Sequence, residues 1–198
     1  MKTLIIYAHP DTGGHSAAIL TEVEKQLKSA KTKYEIIDLY AIKYDPVLHE
    51  DEHYTAGKDR RNVSEQNKAF QSQIAAADKL IFIYPIWWNG MPAILKGWID
   101  RVFTPYFAYK FVGKHPIIGG RPVGLLKGKR AAIFTTTSSH RLVTALILRN
   151  RFKSNIRSDI LGFFGIKARV WHIDKAFFVD DKQQRRIEKA VKRGLHWL

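Results

Sequence analysis

Three short stretches of the sequence concentrate side chains that can hold a ligand. The first, His9-Pro10-Asp11-Thr12-Gly13-Gly14-His15-Ser16, sets two imidazoles and two hydroxyls around a pair of glycines. The second, Ile86-Trp87-Trp88-Asn89-Gly90-Met91, places two indoles side by side, and the third, Thr135-Thr136-Thr137-Ser138-Ser139-His140-Arg141, carries five hydroxyls, an imidazole and a guanidinium. Free N–H groups at a helix start bind phosphate, and Ser16 or Thr12 can add a hydroxyl donor. With no Lys or Arg in the first stretch, binding there has to rest on backbone dipoles, which supply about 0.3 to 2 kcal/mol. Adjacent residues of an extended segment point oppositely, so Trp87 and Trp88 can put one indole under a flat heterocycle. Such a stack adds roughly 0.5 to 1.5 kcal/mol beyond area burial. His140 can donate a proton or hydrogen bond to a reduced substrate, and Arg141 can hold a negative group.

Each stretch follows a short apolar run, which says what has to position it. The runs Thr3 to Ala8, Tyr34 to Leu39, Lys79 to Tyr84, Arg130 to Thr135 and Lys167 to Ile173 read as strands. Helical spacing is expected over about Ser16 to Ala30, Ser64 to Ala76, Pro92 to Phe103, Leu142 to Ile156 and Asp181 to Trp197. This alternation predicts an α/β fold with a parallel sheet covered on both faces. The first, third and fourth runs are the most uniformly apolar and belong in the centre, while charged residues in the second and fifth suit edges. Right-handed crossovers then give the order 2-1-3-4-5, with ligands bound beyond the carboxyl ends at the switch between strands one and three. The connection Thr104 to Lys129, with five glycines and three prolines, is expected to be an ordered excursion. A second long connection runs from Tyr40 to Val63.

Composition narrows the function classes. A chain of 198 residues with 45% hydrophobic and 12% aromatic residues makes one globular domain, expected over residues 1–198. No basic-then-apolar leader or membrane-length apolar run is present, so a soluble, cytoplasmic protein without membrane insertion is expected. Zero cysteines exclude disulfides, thiolate metal sites and cysteine nucleophiles, so redox chemistry would have to come from a cofactor. The formal net charge of +15 is uneven: Lys110 to Ser158 holds eleven Lys or Arg and no Asp or Glu, which favours anionic ligands. No helix-turn-helix, zinc-finger or aromatic RNA-binding signature accompanies it, so nucleic acid is not the expected partner. His49-Glu50-Asp51-Glu52-His53 matches two zinc-protease patterns, but Pro46 lies just upstream and no amphipathic helix surrounds it. A solvated loop, with no metal site, is the expectation there.

The residues Leu4 to Pro10, Asp38-Leu39-Tyr40, Tyr44 to Leu48, Tyr84 to Phe103, Phe107-Ala108-Tyr109, Leu125 to Lys129, Thr135-Thr136 and Gly162 to Ile166 together resemble the NAD(P)H:quinone oxidoreductase family of flavodoxin-like fold, in its compact bacterial branch. The resemblance implies a three-layer sandwich, a flavin (FAD or FMN), and a homodimer with sites at the interface. It also implies ping-pong, two-electron hydride transfer from NAD(P)H through flavin N5 to a quinone or similar acceptor. Carried over by position, His9, His15 and Ser16 hold the flavin phosphate. Pro85, Ile86, Trp87, Trp88 and Asn89 line the ring, Thr135, Thr136, Thr137 and Ser138 meet its polar edge, and His140 is the candidate proton donor. The chain departs from the family at Gly14-His15-Ser16, where Ser-Phe-Asn is usual, and at Thr137-Ser138, where two glycines are usual. An alternative is a regulatory subunit of the same fold that docks on another protein, such as a potassium-efflux system.

Overall fold

The computed structural model describes residues 2–53, 63–115 and 119–198. Five strands, β1 (Lys2–Tyr7), β2 (Lys33–Asp38), β3 (Lys79–Pro85), β6 (Arg130–Thr136) and β7 (Lys167–Ile173), form one parallel sheet in the order β2-β1-β3-β6-β7. The two remaining strands, β4 (Tyr109–His115) and β5 (Gly119–Gly124), pair antiparallel as a separate hairpin. They take up half of the long glycine-rich excursion, which is ordered over its described residues as its composition suggested. Residues 54–62 of the Tyr40 to Val63 connection and residues 116–118 of the excursion lie outside the described residues.

The register aligns Ile5 with Ile36 on one side and Ile81 on the other, and Ile81 with Ala132. Because successive strand residues face opposite ways, the unbroken apolar runs feed two cores. Leu4, Ile6, Leu80, Phe82, Ala131 and Ile133 face α2 (Glu65–Ala76) and α3 (Ala93–Val102), which contribute Phe70, Ile74 and Trp98. Ile5, Tyr7, Ile81, Ile83, Ala132 and Phe134 face α1 (His15–Ser29) and α5 (Asp181–Trp197), which contribute Ile19, Val23, Ile187 and Val191. Caps start two of these helices: Ser64 accepts the Asn67 N–H at 3.3 Å and Asp180 the Gln183 N–H at 2.7 Å.

The segment expected as one helix from Leu142 to Ile156 is interrupted. Val143–Ile147 form a wide π turn in which the Leu148 N–H donates to the Val143 carbonyl at 3.1 Å. Arg149 and Asn150 then take left-handed conformations, with φ of 52° and 49°. A short α4 (Arg151–Ser154) runs on into a second π segment, Asn155–Gly162. The apolar spacing that suggests a single helix does not reflect core positions, because Leu142, Leu146 and Ile147 are exposed. Periodicity without burial does not hold a helix straight.

The zinc-like stretch is a clasp. Glu50–Glu52 make one 3-10 turn, His49 Nε2 bonds to Asp45 Oδ2 at 2.7 Å, and Glu52 is held by Arg101 through two contacts of 2.7 and 2.9 Å. Gly97 of α3 permits this approach, since a Cβ there would sit 2.1 Å from the Pro46 carbonyl oxygen.

Candidate functional site

Beyond the carboxyl ends of β1, β3 and β6 the three ligand-rich loops converge on one face. Backbone bonds stitch them together. The Ile86 N–H donates to the Thr136 carbonyl at 2.8 Å, Thr137 N–H to Ile173 at 3.0 Å, and Ala176 N–H to Thr137 at 2.9 Å. Between them lie two adjoining recesses.

The first recess, about 200 Å³, has the start of α1 on one wall and Pro85, Ile86 and Trp87 on another, with Thr136, Thr137 and Ser138 opposite. His9 closes one side, its ring 6.0 Å from Trp87 and its Nδ1 tied to the backbone of Asp11. His15 and Ser16 are buried, and their Nε2 and Oγ atoms have no hydrogen-bond partner among the described residues. Helix α1 has no side-chain cap, so its first N–H groups face the same space. Burial, and then the nearby Arg186 guanidinium, lower the His15 pKa, so the imidazole is neutral and can present a single N–H or lone pair. Buried polar atoms are nearly always paired, and two unpaired ones at a bare helix start suit a phosphate.

The second recess, about 390 Å³, shares Ile86, Thr137 and Ser138 with the first and is bounded by Trp88, Asn89 and Phe152. Trp87 and Gly90 exchange both backbone hydrogen bonds, at 3.0 and 2.9 Å, around a two-residue turn whose central residues, Trp88 and Asn89, have φ of 50° and 59°. These angles define a type I′ turn. Asn suits such a position, whereas Trp there costs about 1 to 3 kcal/mol. The Trp88 indole is fully exposed at the tip, and Asn89 Oδ1 is buried without a partner among the described residues. The neighbouring indoles thus divide between the recesses, and both reach ligand space.

Two expected residues sit apart from the rest. Thr135 is fully buried one residue behind the recess, its Oγ1 3.2 Å from His172 Nδ1. His140 lines neither recess, and its Nδ1 accepts the Leu142 N–H at 3.1 Å. Conversely, Ala176 and Phe177 after β7, and Phe152 and Leu148 after β6, line the site without having been singled out in the sequence. Their apolar character gave no signal, since their place depends on how the last loops fold back. Among the described residues there is no group of three or more metal-ligating side chains, and no helix is long and apolar enough to cross a membrane.

A family model described as flavodoxin-like fold matches residues 1–197. An uncharacterized NAD(P)H oxidoreductase of Haemophilus influenzae is 35% identical over 141 residues, covering 71% of this chain and 66% of its own. NAD(P)H dehydrogenase [quinone] 1 of Cavia porcellus is 31% identical over 160 residues, covering 73% of this chain and 56% of its own. The chain thus spans somewhat more than half the length of these relatives. Among solved structures, Smu.1420 of Streptococcus mutans superposes with a TM-score of 0.83 at 32% identity, covering 99% of this chain and 100% of that one. An NAD(P)H:quinone oxidoreductase of Methanothermobacter marburgensis superposes with a TM-score of 0.81 at 25% identity, covering 100% and 96%. With the sheet order, the converging loops and the full-length match in agreement, the chain belongs to the flavodoxin-like family that includes the NAD(P)H:quinone oxidoreductases.

Proposed function

We propose that this chain is a flavin-dependent NAD(P)H:quinone oxidoreductase that works as a cytoplasmic homodimer. The observation that carries the reading is the pair of buried, unpartnered atoms, His15 Nε2 and Ser16 Oγ, at the uncapped start of α1. His9, His15, Ser16 and the α1 N–H groups would hold the flavin phosphate. Pro85, Ile86, Trp87, Trp88 and Asn89 would lie along the ring, and Thr136, Thr137 and Ser138 would meet its polar edge, with Thr135 fixing the third loop from behind. Bound there, FAD or FMN supplies the two-electron chemistry that the side chains of this cysteine-free protein lack. The protein's share is to position NAD(P)H and then the quinone over the second recess, and to shield it from water. His140, at the mouth of the third loop, is the candidate to move a proton to the reduced acceptor.

The dimer rests on the exposed apolar groups beside the second recess: Trp88, Leu142, Leu146 and Ile147. A second copy covering them would enclose the recess. The test is an absorbance spectrum of the purified protein, followed by anaerobic NADPH titration and addition of a quinone. Yellow protein that bleaches with one NADPH per site and recolours with quinone supports the reading. Protein that takes up neither FAD nor FMN refutes it, and flavin uptake without quinone turnover points to a docking module instead.

A further inference from the structure

A third concavity, of about 290 Å³, lies outside β7, between the left-handed Arg149–Asn150 break and α5. Its charged lining is Arg141, Lys153, Arg186 and Asp174, three cations against one carboxylate. Asp174 is already spoken for: Oδ1 takes Arg186 Nη2, and Oδ2 accepts the Arg141 backbone N–H at 3.0 Å. The other terminal nitrogen of Arg186 donates to the Asp174 carbonyl and to Gln183 Oε1, both at 3.0 Å. Asp174 and Arg186 therefore form a closed pair.

That leaves Arg141 and Lys153 facing each other, and neither has a carboxylate partner among the described residues. Burial, and then the Arg141 charge, push the Lys153 pKa down against the opposing pull of Asp174, as expected where like charges share a cleft. The wall beside them holds Asn150, whose carboxamide oxygen is buried and unpartnered among the described residues. Turning that amide over would present N–H donors instead. Two cations without a carboxylate partner and an unpaired amide oxygen line a space that readily admits a small polyatomic anion.

We propose that Arg141, Lys153 and Asn150 form a binding site for a phosphate monoester dianion. Two sources share this chemistry: the 2′-phosphate of NADPH, and a free phosphorylated ligand. The cavity shares Thr144 with the second recess, and Arg186 lies close enough to act on both His15 in the first recess and His172 in the cavity wall. A nucleotide lying over the second recess can therefore extend one end into it. The NADPH source rests on the oxidoreductase reading, whereas the phosphate site does not.

The test uses the protein as purified and inorganic phosphate as the probe, at constant ionic strength set with chloride. A saturable rise in Tm with phosphate, diminished in Arg141→Gln/Lys153→Met, is expected. The absence of a phosphate-specific rise, or a rise undiminished by the double substitution, overturns the site. If phosphate also competes with NADPH but not with NADH, and the double substitution lowers the NADPH-to-NADH ratio of kcat/KM by about tenfold or more, the source is the cofactor. A phosphate-dependent rise with an unchanged ratio assigns the site to a free phosphorylated ligand. Lack of turnover with either nucleotide would refute the oxidoreductase reading, while the Tm comparison still decides the site.

Discussion

His172 Nε2 lies 3.2 Å from Thr137 Oγ1, and the same ring reaches Thr135 Oγ1 through Nδ1 at 3.2 Å, so one imidazole braces the end of β6 and the first residue of the loop that edges the first recess. Burial, and then the Lys153 charge, push its pKa from 6.5 down to about 4. The imidazole is neutral in the folded chain at pH values where the unfolded chain protonates it. The unfolded state binds the extra proton between pH about 4 and 6.5, so stability rises with pH through that window and is lost on acidification. Urea unfolding at pH 7.5 and pH 4.5 should differ by on the order of 2 kcal/mol from this group. His172→Gln should remove that increment, and an unchanged pH slope in the variant would assign the acid sensitivity elsewhere.

Removing the Ser16 hydroxyl should act oppositely on folding and on binding. Ser16→Ala removes a buried hydroxyl without a partner and should leave the flavin-free protein as stable or up to about 1 kcal/mol more stable. Loss of one phosphate contact should weaken flavin binding by about tenfold, read by fluorescence titration. A Ser16→Ala protein that unfolds more easily and binds flavin as before would mean that the hydroxyl serves the fold.

The Arg101 and Glu52 side chains are each 8% exposed and paired through two contacts. Arg101→Met leaves the Glu52 carboxylate buried without its cation, which should cost about 3 to 5 kcal/mol in denaturant unfolding. Gly97→Ala attacks the same junction sterically, because the new methyl meets Pro46. It should cost about 1 to 3 kcal/mol and speed proteolysis near Pro46.

Trp88 occupies a left-handed position that Asn tolerates far better. Trp88→Asn should stabilise the isolated protomer by about 1 kcal/mol while shifting the monomer–dimer equilibrium toward monomer, as seen by analytical ultracentrifugation. A dimer undiminished by the change would place the interface away from this turn.

The strand pattern was legible because burial on both sheet faces writes an unbroken apolar run, as in Leu80 to Tyr84, and the sheet order followed from which runs carried charges. The three loops were legible for the same topological reason. The Val143–Ile147 turn was not, because its apolar residues mimic a helix face while remaining exposed, and only packing separates those cases. His172 was hidden by its place in an edge strand, where alternation alone does not reveal that both ring nitrogens find threonine hydroxyls. For His140 the loop was legible and the local bonding was not: its Nδ1 accepts the Leu142 N–H, which leaves Nε2 as the nitrogen available for a ligand.

The strand order also dictates how the molecule is assembled. β1, first in the chain, lies inside the sheet, with β2 on one flank and β3 on the other. The β1-α1-β2 unit closes over a short span, whereas β3 must wait across the Tyr40 to Val63 connection and α2, and β6 across α3 and the whole β4–β5 excursion. Each longer closure costs more chain entropy before its contacts form, and parallel pairings of this kind are slow. The half of the sheet that carries the hydroxyl-rich third loop is therefore expected to dock last onto a preformed amino-terminal half. Ligand binding across the β1, β3 and β6 ends would then act as a clamp on the final folding step, slowing unfolding far more than it speeds folding.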